Sequence, residues 1–148
     1  MRYRLDNMKF FLLVVTCSLA AVAAPNLEPP KLRVPDNVQP ILYAVDLTII
    51  PDRDTFHGIV DINIDIRTAT PVIWLNASDL EIREASFSTS SGAVAKAQVL
   101  DGGKDFAGFS FDHPFSGKGV LHVAYQGKIS RNSSAGLFQM KEADEWYV

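Results

Sequence analysis

The chain has 148 residues, 47% of them hydrophobic, and a formal net charge of −3. That balance excludes a nucleic-acid surface, which needs clustered positive charge. One cysteine, Cys17, excludes a fold held by disulfides, so a hydrophobic core must carry the stability.

Residues 1–23 read as a secretory signal peptide. Arg2, Arg4 and Lys9 precede an apolar run from Phe10 to Ala24, and Ala21 and Ala23 supply the small residues that a signal peptidase reads. Cleavage is expected after Ala23, because cutting after Ala24 puts Pro25 first in the product. The run is too short and too Ala-rich at its end for a membrane span, and an uncleaved anchor is the alternative. Thr16 is a poor residue before a lipidated cysteine, so Cys17 is not read as a lipid anchor. Met8 followed by Lys9 offers a second possible start. The product is therefore expected outside the cytoplasm, periplasmic or extracellular. It keeps 11 Lys and Arg against 16 Asp and Glu, a net −5, and no cysteine. Roughly 125 residues suffice for one self-sufficient core.

Residues 24–32 form a Pro-rich leader without periodicity, and the folded domain is placed at 33–148. In "RVPDNVQPILYAVDL", Arg33 to Leu47, Pro35 and Pro40 fix φ and remove two backbone donors. The lead-in therefore cannot enter a central ladder, and it is expected to cover a sheet edge and deliver the chain into its first strand. Ile41, Tyr43, Val45 and Leu47 then share one face. After the turn-rich "PDRDTFHG", Val60, Ile62, Ile64 and Ile66 alternate with Asp61, Asn63, Asp65 and Arg67. This period of two predicts an antiparallel pair with all eight of those apolar residues pointing inward and the acids on a solvated face. "PVIWLNA" is a continuous apolar run, expected to be covered on both faces. "LEIREASFS", "AVAKAQVL", "FAGFSF" and "VLHVAYQG" add strands, separated by "SSG", "DGGKD" and "HPFSGKG". No segment has a sustained helical period with caps. The class is all-β, a β-sandwich or open curved antiparallel sheet.

The chemistry-bearing residues form no constellation. His57 is placed in a loop, His113 in a turn before Pro114, and His122 on the polar side of a strand, each as a surface histidine. No His-Glu-x-x-His, phosphate loop or Gly-x-Ser-x-Gly is present. "PDRD" and "DGGKD" lack the calcium-loop pattern, and turn-forming Asp accounts for them. Asn76-Ala-Ser78 and Asn132-Ser-Ser134 match the N-glycosylation triplet, which matters only in a host using that route. No catalytic, substrate-binding or metal-ligating residue is assigned, and no cofactor is expected within this chain.

Four stretches together resemble the N-terminal domain of the M1-type, aminopeptidase N-like zinc metallopeptidases. "RVPDNVQPILYAVDLTIIPD" is similar to that family's Arg-x-Pro leader and first strand, and "FHGIVDINIDI" to its Phe-x-Gly-x-Val-x-Ile strand. "IWLNASDLEI" resembles its Leu-Asn-Ala-x-Asp-Leu-x-Ile, and "LHVAYQGKISRNSSAGLFQM" its Tyr-x-Gly strand, loop and Gly-aromatic step. The resemblance implies a saddle-shaped β-domain docked on a thermolysin-like catalytic domain. That second domain carries the Gly-x-Met-Glu-Asn loop and the zinc motif, and neither motif occurs here. It implies removal of N-terminal residues from peptides, with zinc polarising the carbonyl and activating water. Peptide substrates would be met only through that missing domain, with this one closing a side of the cleft. The family's amine-binding Gln lies just after a Tyr-containing strand; Gln139 sits earlier, in another context, and takes no such role. Alternatives are a stand-alone secreted β-sandwich that binds a protein or glycan, and a non-catalytic scaffold. The closing "ADEWYV" reads as a strand without a closing turn. The domain is thus expected to be C-terminally incomplete, to pair this segment with chain beyond Val148 or with the catalytic domain, and to be poorly soluble or self-associating when alone.

Overall fold

The computed structural model describes residues 27–134 and 136–148; the signal-peptide reading, residues 1–23, lies outside them. Eight strands follow one another: β1 (Val38–Thr48), β2 (Thr55–Asn76), β3 (Leu80–Thr89), β4 (Val94–Lys96), β5 (Gln98–Asp101), β6 (Phe106–Lys128), β7 (Met140–Glu142) and β8 (Glu145–Tyr147). Among the described residues there is no helix, as the missing 3.6 period predicts. All strand pairings are antiparallel, in the order β1-β2-β6-β3-β4 with β5 on β6, and the sheet does not close.

Two strands are far longer than expected, and each is bent. "IVDINIDIR" and "PVIWLNA" are parts of one strand, β2, and "FAGFSF" and "VLHVAYQG" are parts of β6. The expected separator "HPFSGKG" runs inside β6, so His113 stands in a strand rather than a free turn. Conversely, "AVAKAQVL" divides into β4 and β5. Ladder register shifts between Ile66 and Thr70 and again between Thr70 and Val72. There the Thr70 hydroxyl donates to the Val72 carbonyl (2.9 Å) and accepts from its N–H (3.2 Å), while Pro71 has no N–H to give. Side-chain bonds thus replace ladder bonds, and the strand can turn without stranding buried polar groups.

The bend divides the sheet into two arms that face each other. The first holds β1, residues 55–66 of β2, residues 117–128 of β6, β3 and β4. The second holds residues 72–76 of β2, residues 106–110 of β6, and β5. Ile62, Ile64, Ile66, Phe87 and Leu121 from the first arm share one core with Ile73 and Phe109 from the second and with Phe111 at the bend. Burying each such side chain contributes about 1.5–3 kcal/mol, an upper figure because unfolded chains are already partly compact. Phe87, Phe111 and Phe115 close the bend, with ring centroids 5.0–6.1 Å apart at tilted to edge-on angles. Val72 and Trp74 face the other way, onto Phe106, Val34 and Leu100. "PVIWLNA" is therefore covered on both faces, one by the first arm and one by the lead-in.

β1 departs from expectation. Tyr43, Val45 and Leu47 do lie on the face of Ile62 and Val60, since Tyr43 pairs with Ile62 and Val45 with Val60. Yet Ile41, Tyr43, Val45 and Leu47 are 59%, 54%, 55% and 45% exposed, and Val60 is only partly buried. The second arm has three short strands against five in the first, too few to reach the outermost one. The lead-in does not guard this edge either. It runs along Thr70–Trp74 of β2, while Pro40 sits within β1 beside the register shift between Pro40 and Leu42.

Tyr147 and Trp146 find their strand partners inside the chain, contrary to the expected pairing beyond Val148. β8 pairs with β7 through a turn in which Ala143 adopts φ 53°. The little hairpin is held by a bridge from Phe138 to Ser130 and by the guanidinium of Arg131, 4.6 Å above the Trp146 ring.

Candidate functional site

The three histidines are dispersed. His57 stands in β2, not in a loop, opposite Thr48 on one side and Gln126 on the other, and is exposed. His113 lies against Phe115, ring centroids 4.5 Å apart. His122 is on the polar face as expected, its Nδ1 2.6 Å from Asp61 Oδ1. No three His, Cys, Asp or Glu side chains among the described residues are grouped closely enough to share a metal ion. The donor set does not fit a catalytic zinc, which needs three protein ligands and an open position. Because the His122 and Asp61 side chains are 40% and 50% exposed, their pair is screened by water. Asp61→Asn is expected to cost under about 1 kcal/mol in urea unfolding; a loss of several kcal/mol would contradict a solvated pair.

Two features invisible in the periodicity stand out. The first is an apolar groove of about 320 Å³ between β1 and the edge of the second arm, lined by Tyr43, Val45, Val60, Trp74, Leu75 and Tyr125. Burial pushes the Tyr125 phenol pKa up, and its ring packs edge-on to Phe56 at 6.3 Å. The second is a polar junction at the turn before β2. Asp54 pairs with Arg131 at 2.5 Å and accepts from Gln139 Nε2 at 3.1 Å, and its carbonyl accepts from the Ile129 N–H at 2.8 Å. Gln139 is 3% exposed, and its Oε1 has no partner among the described protein atoms. Its side chain ties the returning chain to Asp54. The groove offers mainly apolar side chains, and the one carboxylate of the junction, Asp54, is already engaged by Arg131 and Gln139.

Known proteins carry the same pattern. The family model of the peptidase M1 N-terminal domain matches residues 39–147. Aminopeptidase 2 of Candida albicans is 31% identical over 110 residues, 72% of this chain and 11% of its own length. Glutamyl aminopeptidase of Bos taurus is 32% identical over 50 residues, 34% of this chain and 5% of its length. Among solved structures, an M1 zinc metallopeptidase from Deinococcus radiodurans superposes with a TM-score of 0.54 at 14% identity, covering 76% of this chain and 25% of that one. A mutant M1 zinc metallopeptidase from the same organism, bound to a Tyr-Ser-Ala substrate, gives 0.52 at 16% identity, covering 67% and 22%. At such identities the superpositions establish the fold. The chain spans about a tenth or less of the length of the aminopeptidases it matches.

Proposed function

Because the chain belongs to the family of the peptidase M1 N-terminal domain, we propose that it is the non-catalytic N-terminal β-domain of an exported zinc aminopeptidase. In this reading the whole enzyme removes N-terminal residues from peptides. The observation that carries it is the match of the M1 domain over residues 39–147, nearly the whole described chain. Zinc chemistry belongs to the rest of such an enzyme, since the described residues offer no ligand set for it. The domain's part is to pack on the catalytic portion and close one side of its cleft, and the apolar groove beside β1 is suited to bury surface in that way. Export rests on residues 1–23 and their signal-like order of charges, apolar run and small residues. No described helix is long and apolar enough to cross a membrane.

The purified chain is expected neither to bind zinc one-to-one nor to hydrolyse aminoacyl substrates. Tight stoichiometric zinc that is lost on replacing His57, His113 or His122 would reverse this reading. The gene supplies the complementary test: the reading frame after the Val148 codon is expected to continue into a zinc motif. A stop codon there would favour a stand-alone binding module instead.

A further inference from the structure

The two N-glycosylation triplets occupy different kinds of place in the fold. Asn132-Ser133-Ser134 sits in the loop between β6 and β7, and residues 131–134 are all exposed. The loop is closed at its base. The Ser130 N–H donates to the Leu137 carbonyl (2.9 Å) and the Gln139 N–H to the Ser130 carbonyl (2.8 Å), and Ile129 and Gln139 beside them are buried. At the tip, the Asn132 and Ser133 N–H groups donate to Ser130 Oγ at 3.3 and 3.0 Å. The run from Ser130 to Ser134, Ser-Arg-Asn-Ser-Ser, has no apolar side chain to bury against another surface.

Asn76-Ala77-Ser78, by contrast, is built into the sheet. Asn76 is the last residue of β2, pairs with Phe106 and borders the apolar groove beside β1. The Ala77 N–H donates to the Asp105 carbonyl (2.9 Å), and the Ser78 hydroxyl donates to Asp105 Oδ1 (3.3 Å). The hydroxyl that defines the triplet is therefore engaged once β2 and β6 have paired. A glycan on Asn76 would also stand at the groove through which the domain packs in the proposed function.

We propose that Asn132 is the acceptor of an N-linked glycan and that Asn76 stays bare, the donor being a polyprenyl diphosphate-linked oligosaccharide of the secretory pathway. The inference rests on the export reading above. In the transfer, Asn132 Nδ2 forms a bond to the anomeric carbon of the oligosaccharide, and the bond from that carbon to the diphosphate oxygen breaks. The diphosphate leaves with the electron pair, and one amide proton passes to solvent. The loop tip accepts such a hydrated group without moving any buried side chain, since none of residues 131–134 belongs to the core.

The test expresses the whole chain in a eukaryotic secretory host in two forms, one with its own residues 1–23 and one with these replaced by a signal peptide of proven function. Occupancy is read by peptide mass spectrometry after peptide N-glycosidase treatment in heavy-oxygen water, which does not depend on folding. Asn132 is expected to be occupied, and the single glycan should be fully lost in both Asn132→Gln and Ser134→Ala. Asn76→Gln should lose none. The glycosidase should also release the sugar without prior denaturation, as an exposed loop requires. A chain that loses the replacement signal yet carries no sugar on Asn132 would overturn the inference, as would equal occupancy of Asn76 and Asn132. Sugar on Asn132 with the replacement signal, but an unprocessed and unmodified chain with residues 1–23, would support this inference while removing the export reading.

Discussion

Phe109→Ala is expected to remove about 3–5 kcal/mol of folding stability, the range for truncating a buried aromatic residue. Phe109 is 1% exposed and sits in the second arm, paired with Ile73 and Val99. Its ring belongs to the same core as Ile62, Ile64, Leu121 and Val123 of the first arm. Truncation therefore costs more than transfer of the ring to water. It opens a cavity between two layers that are joined by only two continuous strands, and short strands have little freedom to collapse into it. A domain of this size has about 5–15 kcal/mol in total, so the variant should be largely unfolded at modest urea. Unfolding followed by fluorescence at fixed protein concentration measures the loss; concentration must be held because association adds to apparent stability. A loss below about 1 kcal/mol would mean that the two arms do not close on one another.

Gly119→Ala is expected to cost about 3 kcal/mol or more, at the top of the overpacking range, while Gly58→Ala should cost clearly less. Both glycines lie in the first arm under an aromatic ring. A methyl at Gly119 would fall on Cζ of Phe87 and 2.5 Å from the Ser88 carbonyl oxygen. Phe87 is 1% exposed and held by Phe111 and Phe115, and a ladder carbonyl cannot step aside. At Gly58 the methyl would meet the Tyr125 ring, with the phenol oxygen at 2.6 Å. That ring borders the open groove, and its outer end can swing toward solvent. Comparing midpoints of thermal unfolding for the two variants separates the cases. Equal losses would show that Phe87 is free to repack, against its position in the core.

Much of the fold can be read from residues in isolation. Ile62, Ile64 and Ile66 alternate with Asp61, Asn63 and Asp65, and the structure buries the first set and leaves the second toward water. The pairing of β1 with β2 follows from two such runs joined by a short turn. The separation of the three histidines is legible too, since their spacings are unrelated, and the structure places them apart on β2 and β6. Other features leave no local trace. Residues 67–71 and 112–116 read as breaks between strands, since Pro71 and Pro114 punctuate them. Whether such a break ends a strand or bends it depends on the opposing strand carrying its own irregularity at the same height, a relation between residues some forty positions apart. The junction of Asp54, Arg131, Gln139 and Trp146 is of the same kind, assembled from polar and aromatic residues with no common period.

Periodicity by itself determined that the chain is all-β and which residues share a face, because both depend on neighbours along the chain. Only the tertiary structure decided which shared faces are covered. Tyr43, Val45 and Leu47 have the same alternation as Ile62, Ile64 and Ile66, yet they stay open while the isoleucines are buried. Alternation specifies the direction of a side chain, whereas burial requires a second layer to arrive above it. Here that layer is three short strands wide and stops before it reaches β1.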